Sequence, residues 1–396
     1  MKILLVLEAA LGGSGRHVLD LANGLLARRH DISLIYSPLR ADHTFLRRIA
    51  SLRTTWPGFL CKSIPITREV TFSDISSYLS LARYLRTNGP FDVIHAHSTK
   101  AGFLTRLLVG TLGAKMIYTP HGLMTLDPDL IGLRRRAVCA LESTLSRWSD
   151  TVICVSIAEY LCAMDTGISR TKLVVAPNGI RQSAAGTYAR QREEVRAFLG
   201  IAADTVLIGY VGRFCGQKKP ERVIEAFALL KQRSAKPSCL LMVGWGPLEA
   251  DLRRRAAELA VEKDVLFPGQ VDGPTYISAL DVLAHASSFE AFGYVFVEAL
   301  SSGVPIVTTR VGGTDELISN GVTGYVCDPW EPSAFADYLK LLVEDPPRRS
   351  AMSAVARNRA AEYSVEKMVD SVVELYRQRT ARPDLTAAFS ANHETL

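Results

Sequence analysis

Short, continuously apolar runs alternate with amphipathic stretches along most of this chain of 396 residues. KILLVLEA leads into Gly12-Gly13-Ser14-Gly15, read as a loop, and then into Arg16 to Arg29, where Val18, Leu21, Leu25 and Leu26 share one helical face. DISLIYS, FDVIHAHS, KMIYTPHG, TVICVS and KLVVAPNGI continue the series. A strand that is apolar at successive positions is buried on both faces, which a parallel sheet between two helical layers provides. The polar segment from Arg181 to Glu194 breaks the rhythm and reads as a linker running into a short helix. TVLIGYVGR, CLLMVGWG, VLFPGQV, VLAHASS and PIVTTR then repeat it, with ERVIEAFALLKQR and LEADLRRRAAELA as helices between them. The expectation is an α/β chain of two doubly wound, Rossmann-like domains, residues 1–183 and 184–367, facing each other across a cleft. Open parallel sheets bind ligands beyond the carboxyl ends of their strands, so the loops there are where chemistry is sought.

Composition narrows the classes. No apolar run reaches the roughly 18 to 20 residues of a membrane helix. MKILLVL stops at Glu8 and reads as a first buried strand rather than a secretory signal, so a cytoplasmic protein is expected. The seven cysteines show no metal-type spacing and read as small buried hydrophobes. Residues 1–183 carry 22 Lys+Arg against 13 Asp+Glu, whereas the remainder is mildly acidic. A basic half suggests an anionic partner such as a membrane surface or a pyrophosphate. Arg47, Arg48, Arg53 and Lys62 around Phe59 and Leu60, with Arg134-Arg135-Arg136, suit an anionic membrane surface or, equally, a solvated face. No basic–aromatic platform for nucleic acid is present.

The post-strand loops hold the candidates. Gly12 to Gly15 opens a helix and suits an anion, but Val18 and the acid-free end of DISLIYSP argue against a dinucleotide. His95 and His97 are spaced like a metal pair on one strand face, yet no carboxylate cluster lies near them. His121, in YTPHG, stands where a buried strand gives way to a loop, as either a functional or a capping residue. Asp127-Pro128-Asp129 reads as a turn rather than a metal site. Arg213 and Lys218, at a strand–helix turn, suit a diphosphate. Glu290 and Glu298 flank Phe292-Gly293, where a helix begins. Helical rise puts the two acids up to about 12 Å apart, so they need not address one bond. One carboxylate can hold a sugar and the other a ribose, with phosphate at the free helix N–H groups between them.

EAFGYVFVE followed by ALSSGVPIV resembles the E-x7-E motif of the retaining GT-B glycosyltransferases. These include the family 4-like sugar transferases of bacterial capsule, exopolysaccharide and lipopolysaccharide assembly. HAHSTKAG, YTPHG, APNGI, VGRFCGQKK, VLFPGQV and TDELI extend the resemblance over nearly the whole chain. It implies that Glu298 holds the ribose and Glu290 approaches the transferred sugar. Arg213 and Lys218 would grip the diphosphate, and Phe292 and Gly293 would meet the donor through their backbone. It places His121 near the donor sugar, Gly13 near the phosphate and acceptor, and Gly269 to Val271 beside the base. It also implies that a C-terminal helix, about 368–382, packs back on the first domain, leaving 383–396 as a flexible tail. Lys219 departs from the pattern, because glycine often follows the lysine.

The implied reaction moves a hexosyl or N-acetylhexosaminyl group from a nucleotide sugar, UDP-linked by preference, to a hydroxyl with retention. No metal or other cofactor is expected, and the acceptor is expected to be a saccharide or a polyprenyl-diphosphate-linked saccharide. The enzyme would work at the inner face of the cell membrane. A sugar-nucleotide epimerase, a phosphorylase or a non-catalytic nucleotide-sugar-binding subunit would use the same groups.

Overall fold

The computed structural model describes residues 1–378 except Val70, 110–112 and Pro329, so the tail read at 383–396 and the end of the C-terminal helix lie outside it. The chain divides into two compact units, Met1–Gly179 joined by the segment from Val365 onward, and Ile180–Ser364. The breaks fall a few residues before the positions 183/184 and 367/368 read from the sequence.

The first unit holds β1 (Lys2–Leu7), β2 (Asp31–Tyr36), β3 (Leu60–Ser63), β4 (Val93–His97), β5 (Lys115–Thr119), β6 (Thr151–Cys154) and β7 (Leu173–Val175). They form one parallel sheet in the order β3-β2-β1-β4-β5-β6-β7. Ile3 through Leu7 have no exposed surface, and burial of each such side chain is worth about 1.5 to 3 kcal/mol. One face packs on helices Gly12–Ala27, His43–Thr55 and Val365–Arg377, and the other on helices that include Ser73–Asn88 and Ile157–Asp165. Helix Val365–Arg377 lies so close to helix Gly12–Ala27 that a side chain on Gly24 would meet Val369 at 2.6 Å.

The second unit holds β8 (Val206–Val211), β9 (Ser238–Val243), β10 (Val265–Gly269), β11 (Val282–His285), β12 (Ile306–Thr309) and β13 (Gly324–Cys327). Their parallel order is β10-β9-β8-β11-β12-β13. In each unit the order reverses beside the first strand, between β1 and β4 and between β8 and β11. Such reversal points are where open α/β sheets bind ligands.

Four local readings need correction. Gly12 to Gly15 is not a loop, because the helix already starts at Gly12. A Cβ on Gly15 would lie 2.8 Å from the Ala10 carbonyl, so glycine lets the helix begin hard against the strand end. The polar stretch after Arg181 is mostly the helix Ala185–Phe198; Arg190, Glu193 and Glu194 face solvent, while Arg192 and Arg196 pair with Asp281. Edge strands β3 and β13 carried no sequence signal: LCKS is polar and largely exposed, and GYVC is only four residues long. Phe59 is buried in the first core, so it does not belong to a basic–apolar surface.

Candidate functional site

In the second unit, β8 ends at Val211 and its loop carries Arg213 and Lys218 to the helix Pro220–Arg233. β11 ends at His285 and its loop carries Ser287 and Glu290. These are the two loops of the reversal point, and they are bonded to each other. Ser288 N–H donates to the Gln217 carbonyl at 2.9 Å, and Gln217 Nε2 donates to the Phe289 carbonyl at 3.1 Å. Lys218 Nζ forms an ion pair with Glu290 Oε1, both side chains being mostly buried. Burial pushes the Glu290 carboxyl up, but the Lys218 charge and the hydrogen bonds from Lys218 and Ser287 outweigh it and hold the group below its ordinary value.

A chain of hydrogen bonds continues behind the pair. Ser287 Oγ lies 3.0 Å from Glu290 Oε1 and 3.2 Å from His285 Nδ1. An ionised carboxylate only accepts, so the one hydroxyl proton goes to Glu290 and His285 donates from Nδ1; this tautomer is assigned from the network. Burial lowers the His285 pKa to about 4, and its Nε2 has no protein partner. The ring stacks on Tyr210 at 5.2 Å between centroids.

Gly293 has φ +90 and is the residue before the helix Tyr294–Ser302, with no side chain capping that end. The helix thus starts one residue beyond the Phe292-Gly293 step, and the Phe296 N–H closes its first turn on the Gly293 carbonyl at 3.0 Å. Glu298 is half-buried on this helix. Phe292 is buried against Tyr363, with ring centroids 6.0 Å apart. Gly312, at φ +45, lets the next loop lie against the Glu290 backbone, where a Cβ would meet the Glu290 carbonyl at 2.1 Å. Lys219, where the family pattern often has glycine, adopts φ +46 and ψ +49, the left-handed conformation that glycine takes most easily. Arg213 is exposed. Gly269 ends β10 at φ +80, and Val271 follows it at the carboxyl end of the edge strand.

In the first unit the reversal point gathers histidines. His95 Nδ1 lies 2.7 Å from the Tyr376 hydroxyl and its Nε2 lies 2.8 Å from Thr119 Oγ1, so both nitrogens are used within the protein. His97 Nδ1 meets His121 Nε2 at 3.0 Å. His17, on the helix that carries Gly13, lies with its ring centroid 4.6 Å from that of His121. One ring nitrogen each of His17, His97 and His121 fall within 4.8 Å of one another, as metal ligands would. Among the described residues His97 Nε2 has no carboxylate or carbonyl behind it, unlike the supported ligands of a built metal site, whereas the Asn178 side chain acts on His17. Burial lowers the pKa of all four rings, to about 4 for His17. His121 has φ +55, and the loop it opens is tied to Glu159, a fully buried carboxylate that the sequence reading passed over. Asp127 Oδ1 accepts the Asp129 N–H at 2.9 Å, a turn contact.

The structure therefore brings Lys218 and Glu290 into contact and sets Arg213, Phe292, Gly293 and Glu298 on the same loops or the helix they lead into. Gly13 and His121 belong to the reversal point of the other unit. Ser287 and His285 were missed because one reads as loop and the other as part of an apolar strand. Glu159 left one signal, the spacing Ser156-x-x-Glu159 of a helix-capping box.

Comparison with known proteins adds the following. Residues 191–359 match the family described as glycosyl transferases group 1, and residues 11–183 match glycosyltransferase family 4. The chain is 30% identical over 324 residues to a D-inositol 3-phosphate glycosyltransferase of Corynebacterium urealyticum, covering 77% of this chain and 76% of that protein. It is 25% identical over 336 residues to the Escherichia coli UDP-Gal:alpha-D-GlcNAc-diphosphoundecaprenol alpha-1,3-galactosyltransferase, covering 82% and 84%. Its structure resembles that of Anabaena HepE in complex with UDP, with a TM-score of 0.78, 21% identity and coverage of 95% and 99%.

Proposed function

The chain belongs to the glycosyltransferases of group 1 and family 4, which have the GT-B fold, and from that premise we propose that it transfers a hexosyl or N-acetylhexosaminyl group from a UDP-sugar to a hydroxyl with retention. The observation that carries this reading is the Lys218–Glu290 pair at the reversal point, beside the start of the helix that bears Glu298. Arg213, Lys218 and the backbone of Phe292 and Gly293 at the helix start take the diphosphate and neutralise the charge that grows on it as the glycosidic bond breaks. Glu298 holds the ribose diol, the Gly269 to Val271 loop borders the base, and Glu290 faces the sugar. His121 stabilises the oxocarbenium-like sugar, and Gly13 serves the phosphate and acceptor side. The acceptor attacks from the leaving-group face, and its proton passes to the departing phosphate. These cations replace a metal, so turnover in EDTA is unchanged.

The acceptor we propose is a polyprenyl-diphosphate-linked saccharide at an anionic membrane surface. Supporting it, Phe72 just before helix Ser73–Asn88 and Ile75 and Leu79 on it stand exposed and, with Arg83, line an open cavity of about 500 Å³. Arg134 and Arg136 are also exposed, although Arg48 is engaged by Asp20 and Arg135 by the Thr125 carbonyl. Among the described residues no helix is long and apolar enough to cross a membrane. The test is incubation with UDP-glucose, UDP-galactose and UDP-N-acetylglucosamine plus a polyprenyl-diphosphate-linked N-acetylglucosamine, with the product's anomeric configuration read by NMR. An α-linked product supports the reading. A β-linked product, an epimerised nucleotide sugar or a sugar 1-phosphate contradicts it.

A further inference from the structure

Resting on that reading, we infer that Glu159 is a positioning residue for His121: its buried carboxylate holds the loop that presents the imidazole. Glu159 Oε1 accepts the N–H of Gly122 at 2.7 Å and that of Leu123 at 3.1 Å. Its Oε2 accepts the N–H of Val155 at 2.8 Å. One carboxylate thus joins the two residues after His121 to the end of β6. The Glu159 N–H donates to Ser156 Oγ at 3.0 Å, so the same residue is locked at the start of helix Ile157–Asp165.

The loop needs this anchorage. His121 at φ +55 and Gly122 at φ +119 are consecutive left-handed residues, and the histidine is strained there because it has a Cβ. Such conformations persist when the surroundings over-determine them. A second tie acts on the ring, since His97 Nδ1 meets His121 Nε2. Backbone and imidazole are therefore fixed separately, and the His97 contact uses only Nε2 of the two ring nitrogens.

Among the described residues the carboxylate has no counter-cation in close contact. Three backbone N–H groups carry the stabilisation that an arginine supplies to Glu142, the nearby buried acid. A surface salt bridge has no use for full burial and three amide bonds converging from two segments. A loop that must hold a side chain within about half an ångström of its working place does.

The test uses Glu159→Gln, which keeps volume but puts an NH₂ where one oxygen accepted, and Glu159→Asp, which keeps charge but shortens the reach. Amide hydrogen exchange of residues 119–124 and turnover of UDP-glucose are read on the full chain. The expected result for Glu159→Gln is faster exchange confined to 119–124 and 153–157. Turnover falls about ten- to hundredfold with KM for UDP-glucose unchanged, and Glu159→Asp is intermediate. Unchanged exchange, or faster exchange with unchanged turnover, overturns the inference. Exchange that rises throughout the first unit in both variants also overturns it, because the residue then serves folding alone. If the unaltered protein neither binds UDP nor turns over any UDP-sugar, the proposed reaction fails. The anchoring of the loop is still decided by the exchange pattern.

Discussion

Lys218 and Glu290 are 72 residues apart in sequence, and their ion pair closes the two loops of the reversal point in the second unit. A lysine that meets a carboxylate has its charge half-spent before any ligand arrives. On the proposed reading a diphosphate competes for it, and the pairing fixes where the ammonium sits. Lys218→Met removes the cation and should weaken UDP binding about ten- to hundredfold, the worth of a charged hydrogen bond. Glu290→Gln leaves the cation in place, so UDP affinity should stay within a few-fold while turnover falls about a hundredfold or more. Calorimetry and initial rates on the two variants separate these effects.

The first unit contains a buried pair that concerns stability. Arg106 Nη2 lies 2.9 Å from Glu142 Oε2, with Arg106 fully buried and stacked 4.1 Å from the Tyr118 ring centroid. Removing one partner strands a buried charge, which costs about 3 to 5 kcal/mol. Glu142→Ala should lower the unfolding free energy by that amount in a urea titration. The double variant Arg106→Met with Glu142→Leu should lose much less, because no charge is left behind.

Acid stability follows from groups of opposite sign. His17 and His285, with folded pKa values of about 4 against an ordinary 6.5, bind fewer protons folded than unfolded between those values. Stability therefore falls as pH drops through that window, and His95, His97 and His121 act in the same direction. Glu159, raised by burial from 4.5 to about 7 despite its three backbone bonds, works the other way: its native form gains protons as pH falls from 7. Five histidines outweigh one carboxyl. The urea midpoint should fall from pH 7 to pH 5, and more steeply in Glu159→Gln, where the opposing gain is absent.

The exposed apolar residues on and just before helix Ser73–Asn88 give a separate prediction. Leu79→Glu with Phe72→Ser should abolish sedimentation with vesicles rich in phosphatidylglycerol and leave UDP affinity unchanged. Sedimentation equal to that of the unaltered chain would remove the membrane from the account.

Much of the fold was legible because β1, β8 and β9 are buried on both faces and so are apolar at nearly every position, while β4 and β12 are buried but mix in His and Thr. Of the four edge strands, β7 and β10 were read; β3 escaped notice because LCKS is polar and largely exposed, and β13 because GYVC is short. At the site, Glu290, Glu298, Arg213 and Lys218 stood out through their motif, and chemistry alone suggested a diphosphate. What could not be read was support from a distance. Glu159 reads as one polar residue on an amphipathic helix until the loop after His121 is seen to end on it. Ser287 acquires its role only when the fold sets its hydroxyl between Glu290 and His285. Lys219 looked like a departure from the family, yet its backbone takes the left-handed conformation that glycine takes most easily.

The central claim is that the second unit holds a UDP-sugar by its ribose and diphosphate, and calorimetry tests it most directly. UDP, GDP and ADP would be titrated in the absence of metal into the purified chain and into Glu298→Ala. The account predicts that UDP binds in preference to the other two and that Glu298→Ala weakens it about ten- to hundredfold, by loss of a charged hydrogen bond to the ribose. Absence of binding by all three nucleotides, or UDP affinity unchanged in Glu298→Ala, would contradict it.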